Sequence, residues 1–306
     1  MTKKYELTSK TKTMPTGEVV YRIRALRKFN TIIGRLVRPG DLGGWVQSED
    51  NLTHEGNCWL FDEATGYQNS RRSGDSVGYG DSRQYGNSQQ SGCSQQYCNS
   101  RQSGNSQQYG SSQQYGRSHQ YGRSQQYGRS QQYDKSRQSG SSKQSGDSRQ
   151  CGYSQQSDDS RQYGYSRQYG NSMQFDNSMQ SDYSHQCGDS QQFGDSQQSN
   201  NSKQSGNSRQ CGCSLQHGNS HITANGICER TEDCLCIGPL GTRRAYLTLY
   251  RCSDGIIRIT TGCFTGTFPE FMHAVYAAGI EGREAYLELV PAAVRAMHKQ
   301  VRTTCG

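Results

Sequence analysis

The stretch QYGNSQ QSGCSQ QYCNSR QSGNSQ QYGSSQ QYGRSH, residues 84–119, decides the fold of this chain, because one six-residue unit recurs in it without interruption. In the wider segment a serine stands at every sixth position from Ser70 to Ser220, 26 in all. From Gln84 to Gln216 a glutamine follows each of these serines by two residues. Only a folded repeat needs one residue type at one phase over such a length, so the period predicts a solenoid.

The constant residues of the unit are predicted to face the interior. The fifth and sixth residues of one unit and the first of the next form a short extended stretch, in which alternation points serine and glutamine to one side. Gly or Asp at the third position supplies the corner, where the backbone needs a positive φ. The predicted core includes Gln84, Gln90, Gln96, Gln102, Gln108, Gln114, Gln120, Gln126, Ser88, Ser94, Ser100 and Ser106.

A polar interior of this kind needs a hydrogen-bond partner for each amide and hydroxyl. Identical glutamines about 4.8 Å apart can donate along the axis to the next carboxamide. The sequence therefore predicts continuous glutamine ladders inside the solenoid.

The outward residues also form columns, since every third unit returns to the same side. One column contains Tyr79, Tyr97, Tyr115 and Tyr133, which are predicted to stack as an aromatic ladder. Such a ladder is either a flat surface for a sugar, a base or a protein partner, or a purely structural stack.

Two other interpretations of the repeat compete with this one. A composition rich in Ser, Tyr, Gly and Gln is also typical of disordered low-complexity segments, although these lack a strict register. A reversed solenoid would place the second position of each unit inside. That position varies among Tyr, Ser, Cys and Phe, whereas a uniform core needs a constant volume.

The unit resembles the hexapeptide repeat of left-handed parallel β-helices, which have 18 residues in each triangular coil. Phage and prophage relatives have units such as VYGNAK, and here Gln and Ser occupy the phases of the aliphatic residue and the alanine. The resemblance implies a mainly β fold with an unusual, hydrogen-bonded core.

Three regions follow from these patterns: a capping region at 1–65, the solenoid at 66–221 and an α+β domain at 222–306. The YRIRAL and GDLGGW segments resemble the N-terminal cap of the same phage and prophage solenoids. This implies a β cap, with Trp45, Trp59 and Leu60 as apolar contacts, and Ile222 closes the other end.

The last region is predicted to contain three strands followed by two helices. A hairpin through Ser253, Asp254 and Gly255 joins two of the strands, and Thr267 with Glu270 forms a capping box at the first helix. The region resembles an uncharacterised phage module with the pattern IGPxG[ST]R, then GCFxG, then EF.

Candidate catalytic residues are few and lie in this last region. Cys263 precedes a predicted helix, where the helix dipole favours a thiolate, and His273 lies one turn inside. Arg243 could pair with an anion there, which would suit a cysteine-dependent enzyme. Several cysteines could also bind zinc, but the chain has no CxxC pair, so neither a metal nor a cofactor is expected.

The favoured hypothesis is a non-enzymatic phage or prophage accessory protein, a rigid scaffold or spacer that displays a C-terminal partner-binding module. A rod that binds ice or another surface, and the cysteine-dependent enzyme, are the alternatives. Acyl transfer, which occurs in other hexapeptide-repeat proteins, is disfavoured because no insertion breaks the register.

Charge and hydrophobicity limit the partners. Residues 66–221 carry 15 Lys and Arg against 10 Asp and Glu, so by segment no strong basic character points to nucleic acid. The N-terminus has no apolar run after its lysines, and no 18-residue apolar segment occurs. We therefore expect a cytoplasmic protein of a bacterial host cell, a protein partner and no membrane.

Overall fold

The structure of the chain is a computed structural model. The structure describes residues 2–104, 106–134, 136–140, 142–146, 148–152, 154–157, 160–162, 164, 166–168, 170, 172–174, 176, 178–182, 184–188, 190–192, 197–198, 202–205, 208–211, 215–216, 220–223, 225–241, 244–262 and 264–299. The chain forms two compact units, Met1–Tyr165 and Ser166–Gly306, and each is described by itself.

The first unit begins with a β cap. Its strands are β1 (Tyr5–Thr13), β2 (Val19–Ala25), β3 (Phe29–Asn30), β4 (Leu36–Val37) and β5 (Leu42–Val46), followed by a 3-10 turn at Glu49–Asn51. The pairs β1–β2, β2–β5 and β3–β4 are antiparallel, so the cap is a meander with one separate hairpin.

The change from antiparallel to parallel pairing happens at β5. Trp45 and Val46 pair in parallel with Thr65 and Gly66, the first strand of the solenoid proper on that side. A Cβ at Gly44 would lie 2.3 Å from the carbonyl oxygen of Ala64. The glycine therefore permits the close approach that lets the cap act as a template for the first coil.

After the cap, two-residue strands recur every six residues. In the first unit these are, from β6 to β23, Trp59–Leu60, Thr65–Gly66, Arg71–Arg72, Val77–Gly78, Arg83–Gln84, Gln89–Gln90, Gln95–Gln96, Arg101–Gln102, Gln107–Gln108, Gln113–Gln114, His119–Gln120, Gln125–Gln126, Gln131–Gln132, Arg137–Gln138, Lys143–Gln144, Arg149–Gln150, Gln155–Gln156 and Arg161–Gln162.

Within this unit, strands pair in parallel with the strand 18 residues later, as Arg83 does with Arg101. The unit therefore has three faces. The arginine face contains β7, β10, β13, β16, β19 and β22; the tyrosine face β6, β9, β12, β15, β18 and β21; and the third face β8, β11, β14, β17, β20 and β23. Corner glycines such as Gly104 have a positive φ of 66°, as predicted.

The predicted parallel β-solenoid with a buried Gln and Ser core is confirmed. Of the predicted core residues, Gln84 is 1% exposed and the others are fully buried. The neighbouring position of each strand faces outward and is at least partly exposed in the regular coils. Glutamine and serine therefore occupy the interior, and the reversed arrangement with tyrosine inside is excluded for the described coils of this unit.

The first coil departs from the repeat at two positions, and the small residue at one makes room for the large residue at the other. Arg72 occupies the glutamine phase, is 1% exposed and donates from Nη2 to Oε1 of Gln96, 3.2 Å away. A Cβ at Gly78 would lie 2.8 Å from Nη1 of Arg72. The glycine in the next glutamine phase thus leaves room for the longer arginine side chain.

The second unit contains further repeat strands and a separate sheet. The repeat strands β24 to β34 are Arg167–Gln168, Met173–Gln174, Met179–Gln180, His185–Gln186, Gln191–Gln192, Gln197–Gln198, Lys203–Gln204, Arg209–Gln210, Leu215–Gln216, His221–Ile222 and Ile227–Cys228. After a 3-10 turn at Thr231–Asp233 come β35 (Cys234–Leu240), β36 (Ala245–Arg251), β37 (Ile257–Thr261), β38 (Phe264–Thr267), α1 (Phe268–Ala277) and α2 (Glu284–Lys299).

The C-terminal sheet has four antiparallel strands in the order β35-β36-β37-β38, where three were predicted. The additional strand, β38, is only four residues long and leads directly into α1, so it has no sequence pattern of its own. The capping box is present: the Glu270 carboxylate accepts hydrogen bonds from the backbone and the hydroxyl of Thr267, at 2.7 and 2.9 Å.

Helix α2 packs on this sheet through Tyr286, Val290, Val294 and Met297. Leu289, by contrast, is 42% exposed. Because Val290 takes the buried position, its neighbour on a helix points about 100° away from the core.

Candidate functional site

In the described coils, inward glutamines such as Gln102 and Gln114 bond to the backbone and not to one another, so the predicted interior ladders are wrong for these coils. Nε2 of Gln114 donates to two backbone carbonyls, that of Arg101 at 2.9 Å and that of Ser118 at 3.0 Å. Gln102 repeats the pattern with Gln89 and Ser106. One carbonyl belongs to the preceding coil and the other to the same coil, so each amide joins two coils at a corner.

This pattern follows from the chemistry of the carbonyl group. A backbone carbonyl oxygen has two lone pairs and can accept a second hydrogen bond besides the one from the sheet. These carbonyls lie just beyond the corner, at the start of the next face, within reach of the inward amides, so both N–H groups of Gln102 and Gln114 find acceptors in the backbone. Gln90, which lies next to Arg72 in its column, is an exception and has no such bond to any described residue.

Glutamine ladders do occur, but on the outside. On the tyrosine face Nε2 of Gln113 donates to Oε1 of Gln95 at 3.3 Å, and Gln131 donates to Gln113 at 3.1 Å. On the third face Gln125 donates to Gln107 at 3.1 Å. The ladder geometry was thus predicted correctly, but for the wrong side of the strand.

The interior contains buried polar side-chain atoms that have no hydrogen-bond partner among the described residues. Within the part of the chain that the structure describes, most inward serine hydroxyls, such as that of Ser112, have no hydrogen-bond partner in the protein. The Oε1 atom of Gln114 likewise has no hydrogen-bond partner among the described residues. Ser88 differs, since its hydroxyl donates to the carbonyl of Tyr85 at 2.8 Å. The core is therefore stabilised through the glutamine N–H groups rather than the serines.

The four tyrosines of the predicted ladder lie in one column on the tyrosine face. The rings of Tyr97 and Tyr115 are parallel to within 4°, with centroids 4.6 Å apart, and Tyr133 follows at 5.1 Å. Tyr79 is tilted by 48° from Tyr97. The Tyr97 hydroxyl donates to Oε1 of Gln95 at 2.8 Å, which links the aromatic ladder to the outer glutamine ladder.

The cap covers the beginning of this face. Phe29 and Val37 of the β3–β4 hairpin pack with the buried Trp59 and Val77. The Arg35 guanidinium lies 4.5 Å from the ring centroid of Phe61, the ring that precedes Tyr79 in the column. The accessible part of the ladder therefore begins after Tyr79.

The cap residues named from the sequence lie in different surroundings. Trp59 and Leu60 are buried in the cap core, and Ile222 is buried in the second unit with Cys228 and Tyr250. Trp45 lies nearer the surface, where Nε1 donates to Glu63 at 2.9 Å and Lys12 lies 4.6 Å from the ring centroid.

One buried polar contact in the cap was not found from the sequence. Nζ of Lys4 lies 3.1 Å from Sγ of Cys58, and both residues are fully buried. Burial lowers the pKa of Lys4, and the Cys58 sulfur acts in the opposite direction. A contact between residues 54 positions apart leaves no local pattern, so no sequence signal could have shown it.

The C-terminal candidates are only partly placed. His273 is exposed on α1, whereas Cys263 and Arg243 lie outside the described residues. A groove of about 250 Å³ runs beside α1 and is lined by Phe264, Phe271, Ala278, Tyr286 and Arg283 among others. His273 does not line this groove. The structure thus gives no geometry for a cysteine–histidine pair.

The cysteines that the structure describes are unbridged. Among the described residues, no group of three His, Cys, Asp or Glu side chains could hold a metal ion. A hydrogen bond with Cys234, together with burial, raises the pKa of Cys228 well above its ordinary value. Cys228 is therefore held as a neutral thiol in its core.

The fold and these surfaces define the chain as a parallel β-solenoid protein with a small α+β region. No protein-family profile matches the chain, and a search of curated proteins finds no similar sequence. Neither helix in the described part of the chain has the length and apolar character that a membrane span requires.

Proposed function

We propose that the protein is a non-enzymatic scaffold of phage or prophage type, whose solenoid displays its outer faces and whose C-terminal region binds a protein partner. The observation that most supports a scaffold is that the constant inward side chains bond within the chain. The inward amides bond to the backbone of the chain itself, so the constant residues serve the fold. The residues that vary from unit to unit face outward, as in other repeat proteins that bind through their surfaces.

The groove beside α1 supports a partner site in the C-terminal region. Phe264 and Phe271 meet edge to face there, with centroids 5.4 Å apart, and Tyr286 packs on Phe271 at 5.6 Å. Arg283 lies at the same groove and donates to the carbonyls of Ala278 and Gly279. Aromatic side chains with an adjacent arginine are typical of protein-binding surfaces.

The test blocks the groove without disturbing the core. Ala278 is exposed and lines the groove, so Ala278→Arg fills it with a long charged side chain. Ala277 is also exposed but does not line the groove, so Ala277→Arg is the matched control. The tagged full chain and the two variants are each used to capture proteins from a bacterial lysate.

We expect at least one protein that the wild type and Ala277→Arg capture equally and that Ala278→Arg captures about tenfold less, the change that 1.4 kcal/mol of binding free energy produces. Identical sets of captured proteins for all three chains would contradict the proposed partner site.

A further inference from the structure

The repeat separates its charges by position. From Arg71 to His221 the outward residue of each strand is Arg, Lys, His, Gln, Met, Val or Leu, and never Asp or Glu. All ten acidic residues of 66–221 stand at the third or fourth position of a unit, which are the corners. The flat faces are therefore basic or neutral, although the segment as a whole has only a small excess of positive charge.

Basic residues are stacked directly on one another along the arginine face. Arg83 pairs with Arg101, Arg101 with His119, and His119 with Arg137, in register across adjacent strands. Successive strands lie about 4.8 Å apart, and like charges directly opposite each other in a sheet are destabilising. The column therefore costs stability in the free protein.

Among the described residues, no ion pair neutralises this column. Arg83, Arg101 and Arg137 make no ion pair with any residue that the structure describes. Arg101 and Arg137 are exposed. Their guanidinium groups thus remain available to an anionic ligand.

A groove lies along the edge of the arginine face. It has a volume of about 570 Å³ and is lined by Asp81, Arg83, Asn99, Arg101, Arg117 and His119. Arg117 lies at a corner and adds a further cation beside the column. Asp81 is the single acidic residue of the lining. Tyr121, on the other side of His119 along the chain, is 41% exposed.

The positive charge of the column affects the pKa of His119, which is a member of the column. Burial lowers the pKa of His119, and the positive charges of Arg101 and Arg137 lower it further. The imidazole thus lies in a positive potential produced by its two neighbours in the column.

We propose that the arginine face binds the phosphodiester backbone of single-stranded nucleic acid. The cations supply a straight row of sites for phosphates, and the exposed Tyr121 ring offers a platform on which a base can stack. A flexible single strand can adapt the positions of its phosphates to this row and leave its bases free to stack on an aromatic ring, whereas the bases of a duplex are already stacked on one another. The expectation that nucleic acid is not a partner rested on charge summed by segment, which hides the separation by face.

The test measures binding of fluorescein-labelled dT20 to the full chain by fluorescence anisotropy at several salt concentrations. The variant Arg101→Gln with Arg137→Gln removes two cations of the column. Glutamine is the residue that the repeat itself places at this phase, for example at Gln107 and Gln125, so the coil is preserved. The control, Arg71→Gln with Lys143→Gln, makes the same changes on the third face.

We expect the wild type to bind dT20 with an affinity that falls as salt rises. Each neutralised phosphate contributes about −0.7 to the slope of log K against log salt, so losing two cations reduces the slope by about 1.4 and the affinity at low salt by at least ~10-fold. The control variant keeps the wild-type slope.

Three results would overturn the proposal. They are the absence of dT20 binding by the wild type, an equal loss of affinity in the two double variants, and binding to phosphatidylserine vesicles that dT20 does not displace. The last result would assign the face to an anionic membrane surface.

Discussion

At the residue scale, the inward carboxamide is used asymmetrically. Its nitrogen bonds to two backbone carbonyls, as in Gln114, whereas its oxygen has no partner in most of the described coils. That glutamine and serine face inward could be predicted, because alternation in a strand fixes the side of each residue. The acceptors could not be predicted, because the reach from an amide to a carbonyl of the next face depends on the three-dimensional path of the coil.

The inward serines provide a prediction at this scale. Ser112→Ala is expected to leave the stability unchanged or to raise it by up to about 1 kcal/mol, because it removes a buried hydroxyl that has no partner. Ser88→Ala is the matched control and is expected to lower the stability by about 1 kcal/mol, since its hydroxyl bonds to Tyr85. Urea denaturation of both variants decides the matter, and a larger loss for Ser112→Ala would refute this account of the core.

At the scale of the elements, regular periods were predictable and short irregular segments were not. The two-residue strands follow from the six-residue period, and the column of Tyr97, Tyr115 and Tyr133 follows from three units per coil. Strand β38 was missed, because four residues before a helix carry no period of their own. The cover that β3 and β4 place on Trp59 was also missed, since hairpin docking depends on contacts distant in sequence.

The tyrosine ladder predicts a shift in titration. Burial, with smaller effects from Tyr97 and Tyr133, raises the pKa of Tyr115 to about 12 from an ordinary value of 10.0. A raised tyrosine pKa stabilises the fold below pH 10, and this contribution is lost as the pH rises towards 12. The absorbance at 295 nm of the wild type minus that of Tyr115→Phe isolates this group. A midpoint near 10 in this difference would show that the ring is not held in a ladder.

At the scale of the whole molecule, the sequence predicted the class of fold but not the arrangement of charge. Counting Lys and Arg by segment gave no basic region, yet the fold collects Arg83, Arg101 and Arg137 on one face. The structure does not test the candidate catalytic residues, because Cys263 and Arg243 lie outside the described residues. The proposed scaffold role therefore rests on surfaces and not on a reactive site.

The central claim is that inward glutamine N–H groups hold neighbouring coils together through the backbone. Gln114→Glu keeps the shape of the side chain but places a carboxylate against the carbonyl oxygens of Arg101 and Ser118. Gln113→Glu makes the same change one residue earlier, where the side chain faces outward. The outward variant also loses the bond from Gln113 to Gln95, but water can replace that bond at the surface, so the pair differs chiefly in whether the new charge is buried.

The most direct test is the free energy of unfolding of the full chain carrying each change, measured by urea denaturation at pH 7 and pH 4. We predict a loss of about 3–5 kcal/mol for Gln114→Glu at pH 7, since it buries a charge without a partner, and less than about 0.5 kcal/mol for Gln113→Glu. Burial raises the pKa of the new carboxyl, so the loss should shrink at pH 4 as it becomes protonated. Equal stabilities of the two variants at pH 7 would contradict the account.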